Sequence, residues 1–147
     1  MFAPLTAPSA SASGAFGRSD MYRQIGVQTG VSEASAHHLI AMLFDGALEA
    51  IAQARGAMAS GQIELKARAI GKAVRIVDEG LKAAINPVEG GPLASQLSEL
   101  YGYIALRLSE SNARNDEQGL VECARLLQPL KEAWSGIAAQ VNTPARR

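Results

Sequence analysis

Two adjacent histidines are the first side chains in this sequence whose chemistry needs explaining. His37 and His38 follow one another on a predicted helix, so their rings point about 100° apart and are poorly placed to share one ion. Neither has a second histidine four residues further on, and the chain contains no Glu-x-x-His pair of the kind found in di-iron bundles. We therefore interpret both as solvated surface side chains.

The other reactive groups also lack a catalytic arrangement. Cys123 is the single cysteine, falls on an apolar helical stripe and has no His or Lys beside it, which predicts a buried, inert thiol. The acidic pairs at 78–79 and 116–117 are adjacent in sequence, so their carboxylates diverge on a helix. The glycines at 90–91 are not followed by the Lys-Ser or Lys-Thr of a phosphate-binding loop. The sequence predicts no enzyme, no cofactor and no metal site.

Charge and hydropathy exclude further classes. The 147 residues carry 14 basic and 14 acidic side chains and a net charge of zero, which argues against nucleic-acid binding and a polybasic membrane anchor. No segment supplies the about 20 mostly apolar residues that insert across a bilayer, so we expect no membrane insertion. The N-terminus lacks the features of a signal peptide. We expect a soluble, cytoplasmic protein.

Four amphipathic patterns supply the elements. The first begins at Ser35, a candidate N-cap, and ends at Ser60-Gly61. The second is a heptad seam that ends at Asn86-Pro87, and its apolar positions are Ile63, Ala67, Ile70, Val74, Val77, Leu81 and Ala84. The third opens at Gly91-Pro92 and fades at Ser111-Asn112. The fourth starts with Asn115 as its expected N-cap.

Short connections between long helices force neighbouring helices to run antiparallel. The sequence therefore predicts an all-α fold, an antiparallel up-down four-helix bundle with an N-terminal arm. Residues 1–20, rich in Ala, Ser, Pro and Gly, are expected to form a disordered tail. Residues 21–142 form the arm and bundle, and residues 143–147 a frayed C-terminus.

Apolar side chains exceed what one helix face can bury. The run Leu39–Phe44 is apolar throughout, and the third helix carries a similar excess over residues 101–108. Two interpretations stay open, a wide core stripe and a hydrophobic groove for a partner helix or for the arm.

Several local strings resemble the flagellar secretion chaperones of the FliS family. Leu39–Gly46 is similar to the family signature LxxMLYDG, with Phe in place of Tyr at position 44. Gly90-Gly91 followed by Leu100–Ile104 resembles GG…LYDYM. The other similar positions, in chain order, are Tyr22 and Val27, Arg107-Leu108 with Asn112 and Asn115-Asp116, and Ala133-Trp134.

The sequence also departs from the family pattern. The usual Ser-Pro-x-Glu capping box before the first helix is Ser35–His38 here, so its glutamate is missing. Gly102 stands in place of an aspartate, Leu106 in place of a polar or basic residue, and Pro92 where an acid is common.

The resemblance implies a four-helix bundle and a role in export. Such a chaperone holds the disordered C-terminal region of flagellin in an extended, partly helical form along the bundle, which prevents premature polymerisation. It then assists delivery to components of the flagellar export gate, without ATP. In the family the N-terminal arm is thought to cover part of the groove and to move aside when flagellin binds.

On this basis we expect three groups of partner-binding residues. The arm contributes Tyr22, Ile25 and Val27. The first helix contributes Leu39, Met42 and Leu43, and the third contributes Tyr101, Tyr103, Leu108 and Asn112. Tyr103 fits the core equally well by its spacing. An alternative function is a structural dimerisation bundle, in which the same apolar flank pairs with a second copy as a homodimer.

Overall fold

The computed structural model describes the backbone of residues 33–141 and the side chains of residues 35–137. The regular elements of this part of the chain are helices joined by short turns. They are α1 (Glu33–Ala59), α2 (Ile63–Arg75, continued by a π-helical segment, Ile76–Lys82), α3 (Pro87–Arg114) and α4 (Glu117–Val141). The predicted tail 1–20, nearly all of the arm and residues 143–147 lie outside the described residues.

The four helices form a ring in which each packs against its two neighbours. Helix α1 contacts α2 and α4, and α3 contacts the same two helices from the other side. Polar contacts between the start of one helix and the end of the other, such as Lys131 with Asp45 and Arg55 with Glu117, show that α1 and α4 are antiparallel. The predicted antiparallel four-helix bundle is confirmed.

The core combines small and large buried side chains. Alanines are buried along α1 and α2, where side chains of this size allow helices to approach closely, and they are Ala47, Ala50, Ala54, Ala57, Ala69 and Ala73. The largest fully buried side chains are Ile51, Ile70, Val77, Ile104, Leu108, Leu120 and Leu127. Burial of these groups stabilises the bundle by about 1.5–3 kcal/mol for each large aliphatic side chain.

Helix α1 ends as its sequence predicts. Gly61 adopts φ +74°, and the backbone N–H groups of Gly61 and Gln62 donate to the carbonyls of Met58 and Ala57. This is the Schellman motif, which satisfies the last carbonyls of a helix. The expected start is wrong, because α1 already begins at Glu33 and Ser35 lies in its first turn.

The predicted N-cap of the fourth helix is also wrong. Asn115 ends α3 instead, with φ +52°, and its N–H and that of Asp116 donate to the carbonyls of Asn112 and Ser111. Asp116 takes the capping role, because its carboxylate accepts a hydrogen bond of 3.0 Å from the N–H of Gln118. A single short turn therefore ends one helix and starts the next.

The end of α2 and the start of α3 each contain a backbone irregularity. The heptad seam of α2 is buried at its centre, but Ile63 and Ala84 at its ends are exposed and the last turns are π-helical. Asn86 caps an extra helical turn at the start of α3 by accepting hydrogen bonds from Val88 and Glu89. The predicted start at Gly91-Pro92 is the point where Gly91 (φ +56°) interrupts the helix before its long part.

Candidate partner-binding surface

No reactive centre is assembled in the described part of the chain. Within residues 33–141, no group of three His, Cys, Asp or Glu residues is placed to hold a metal ion. No helix among them is long and apolar enough to cross a membrane. Cys123 is buried, as its spacing predicts, and its thiol lies 3.7 Å from the carbonyl of Ile104. Burial raises the pKa of this thiol to about 12, so the nucleophilic thiolate is suppressed.

One histidine differs from the prediction. His38 is exposed, but His37 is half-buried and stacks on Trp134 with ring centroids 4.3 Å apart. The indole Nε1 also donates to the His37 carbonyl at 3.0 Å. The interpretation of His37 as a solvated side chain is wrong, because His37 contacts Trp134 and so joins the first turns of α1 to the C-terminal half of α4.

The predicted residues of α1 are exposed to different degrees. Met42 is 53% exposed, whereas Leu39 and Leu43 are half-buried. Leu43 packs against Gly80 of the π-helical segment so closely that a Cβ atom at position 80 would lie 3.1 Å from Leu43 Cδ1. We call Leu39, Met42 and Leu43 the α1 patch.

The predicted residues of α3 separate into core and surface. Tyr101 and Leu108 are buried in the bundle core, at 5% and 0% exposure, and do not contribute to a surface. Tyr103 points outward and is 43% exposed, and Leu106 one turn further along is 58% exposed. We call Tyr103 and Leu106 the α3 patch.

A polar network fixes the outer end of Tyr103. Its hydroxyl donates to Glu122 Oε2 on α4 at 2.5 Å, and Arg107 Nε donates to Glu122 Oε1 at 2.8 Å. These two hydrogen bonds hold the pKa of Glu122 below its usual value, with the bond from Tyr103 the larger cause. The same bond raises the pKa of Tyr103. At neutral pH the network thus consists of a neutral phenol, a carboxylate and a guanidinium.

Asn112 lies at the end of α3 and is half-buried. Its carbonyl oxygen accepts a hydrogen bond of 3.1 Å from Lys66 Nζ, a buried ammonium that also donates to Asn115 Oδ1 at 3.0 Å. Asn112 therefore belongs to the junction between α2, α3 and the α3–α4 turn.

The two patches do not form one groove. Leu43 of the α1 patch packs against Gly80 at the end of α2, and Tyr103 bonds to α4, so these two contacts lie on opposite sides of the ring of helices. The predicted arm residues Tyr22, Ile25 and Val27 lie outside the described residues.

The sequence did not predict three of the residues that make these contacts: Lys66, Glu122 and Arg107. In the sequence analysis Arg107 appears only as part of a string that resembles the family pattern, with no contact assigned to it. Glu122 and Lys66 meet partners 15 to 49 residues away, and no local spacing signals such contacts.

Comparison with known proteins gives consistent matches over most of the chain. The family model described as "Flagellar protein FliS" matches residues 18–141. The chain is 43% identical over 121 residues to the flagellar secretion chaperone FliS of Salmonella typhimurium, covering 82% of this chain and 90% of that protein. It is 44% identical over 117 residues to the flagellar secretion chaperone FliSB of Pseudomonas aeruginosa, covering 80% and 92%. The FliS of Vibrio cholerae is 32% identical over 116 residues, covering 79% and 85%.

Proposed function

The chain belongs to the FliS family of flagellar secretion chaperones, and from this we propose that it binds the C-terminal region of flagellin. Bound in this way, flagellin would be kept from polymerising prematurely in the cytoplasm and delivered to components of the flagellar export gate. FliS proteins are a chaperone family and not an enzyme family.

The structural observation that supports this proposal is the pair of exposed apolar patches. A compact partner would reach only one of them, because they lie at opposite edges of the bundle. An extended chain that wraps around the helices reaches both. A disordered segment that folds on binding is suited to such a surface, since it covers a large area and bears the ordering entropy itself.

Isothermal titration calorimetry with a synthetic peptide of the flagellin C-terminal region tests the proposal. We expect binding at tens of micromolar or tighter, and absence of binding in this range would overturn it. Met42→Ser removes an exposed apolar contact of the α1 patch and should weaken binding. Ile63→Ser is the matched control, because Ile63 is 68% exposed and lies at the start of α2, outside both patches.

Light scattering of the protein without peptide tests the alternative function. A monomer that binds the peptide supports the chaperone function. A tight homodimer whose formation excludes the peptide would favour the structural dimerisation bundle.

A further inference from the structure

Tyr103 combines an exposed ring with a restrained hydroxyl. Tyr103 belongs to the α3 patch and is 43% exposed, so a large part of the side chain is open to a partner. The hydroxyl nevertheless donates to the Glu122 carboxylate in a charge-assisted hydrogen bond. An exposed tyrosine is thereby held in one position at its outer end.

Glu122 is itself held in place by Arg107. The guanidinium Nε binds Glu122 Oε1 at 2.8 Å, and Nη1 lies 3.4 Å from Asp116 Oδ2 and 3.9 Å from Glu110 Oε1. It also lies across Gly119 of α4, where an added Cβ would be 3.0 Å from Arg107 Cζ. A continuous series of contacts therefore runs from the backbone of α4 through Arg107 and Glu122 to Tyr103.

The Arg107–Glu122 pair is partly buried, with side chains 21% and 38% exposed, so it contributes to the contact between α3 and α4. The hydrogen bond to the more exposed Tyr103 has a second consequence, which concerns binding. A fixed aromatic ring at the surface is useful for binding, since a partner then loses no further side-chain entropy by ordering it. Aromatic anchors of this kind dominate many interfaces.

We infer that Arg107 and Glu122 are positioning residues that hold the Tyr103 ring as a preformed anchor for the flagellin segment. This inference rests on the proposed function. Leu106, one turn further along α3, extends the apolar surface beside the ring. Arg107 and Glu122 act through the orientation of Tyr103 and need no contact with the partner.

A double-mutant cycle in peptide affinity tests the inference. Glu122→Ala and Tyr103→Phe each break the same hydrogen bond, so each should weaken peptide binding about three- to tenfold. The double variant should be no weaker than either single variant, because Glu122 acts only through the hydroxyl. Glu122→Gln keeps an acceptor for that hydroxyl and should recover most of the affinity.

Glu110→Ala is the matched control, since Glu110 also lies beside Arg107 but does not contact Tyr103. Its affinity should equal that of the wild type. Unchanged binding by Glu122→Ala, or an equal loss in the Tyr103→Phe background, would overturn the positioning role while leaving the proposed function standing. Absence of binding by the wild-type chain would overturn the proposed function, and the anchor role with it.

Discussion

Lys66 is a charged side chain inside the bundle, and its two hydrogen bonds explain why it is tolerated there. Lys66 is 5% exposed as a residue, and its ammonium donates to the Asn112 carbonyl and to Asn115 Oδ1. Both acceptors lie at the C-terminus of α3, where free carbonyls and the helix dipole favour a positive charge. Lys66 therefore serves as a cap for α3 provided by another helix.

Replacing Lys66 by methionine tests this role. Lys66→Met keeps the apolar stem but leaves two partly buried hydrogen bonds unmade at the end of α3, so we expect a loss of about 1–2 kcal/mol in the free energy of unfolding. Urea denaturation measures it. Lys72→Met is the matched control, because Lys72 is an exposed lysine of the same helix, and its effect should stay within about 0.5 kcal/mol. Equal effects of the two substitutions would contradict the capping role.

A buried thiol and a buried phenol should lower the free energy of unfolding of the bundle at alkaline pH. Burial raises the pKa of Cys123 from 9.0 to about 12 and that of Tyr101 from 10.0 to about 12. Above pH 9 the unfolded chain has already lost protons that the folded chain retains, so the unfolded state is favoured as pH rises. We expect the free energy of unfolding in urea to fall steadily above pH 9. A Cys123→Ala variant with the same slope as the wild type would exclude the thiol as a source.

Individual residues were predictable from the sequence where one helix decides their surroundings. Cys123 falls on an apolar stripe, so its burial follows from its spacing. His37 depends on what a second helix places opposite it, and its stacking on Trp134 cannot be derived from local periodicity. The expected site is incomplete for the same reason, since Glu122 becomes part of it only through a contact between helices.

Helix α4 contains two glycines that differ in their surroundings. A Cβ atom at position 119 would lie 1.8 Å from Ser111 Oγ and 3.0 Å from Arg107. Ser111 is fully buried and donates to the Arg107 carbonyl, so it has little freedom to move. A Cβ atom at Gly136 would meet nothing within 4 Å. The close approach of α3 and α4 thus requires glycine at one position only.

Alanine substitutions at the two sites should act in opposite directions. Gly119→Ala overpacks the α3–α4 contact and should destabilise the protein by about 1–3 kcal/mol. Gly136→Ala should stabilise it by up to about 1 kcal/mol, because alanine has the higher helix propensity. Thermal and urea denaturation measure both effects. Stabilisation of similar size at both positions would mean that helix propensity and not packing decides the outcome.

The elements themselves were largely predictable, and their ends and irregularities less so. Glycine ends α1 by a local rule, and four amphipathic stripes are enough to predict four helices. In the π-helical segment Val77 and Leu81 of the seam are buried, whereas Ala84 just beyond it is exposed, and the heptad pattern gives no signal of this change. Gly80 packs against Leu43 there, and Ile76 of the same segment packs against Gly46. Asn115 and Asp116 are both good capping residues, and only the left-handed backbone of Asn115 assigns them to different helices.

The bundle as a whole presents apolar patches on a molecule with no net charge. Its 14 basic and 14 acidic residues cancel, and several of the exposed ones pair within the bundle, as Arg55 does with Glu117 and Lys131 with Asp45. Long-range attraction of a charged partner is therefore weak. Binding through the two patches should instead depend on the burial of apolar surface.

Salt and temperature distinguish these two sources of affinity. Raising NaCl from about 0.05 M to about 0.5 M screens exposed charges strongly, yet we expect the dissociation constant of the flagellin peptide to change by less than about threefold. Calorimetry at several temperatures should give a negative heat-capacity change, the mark of apolar burial. Urea denaturation in the same buffers controls for effects of salt on folding. Weakening of tenfold or more with added NaCl, at unchanged stability, would show that charge pairs and not the apolar patches carry the binding.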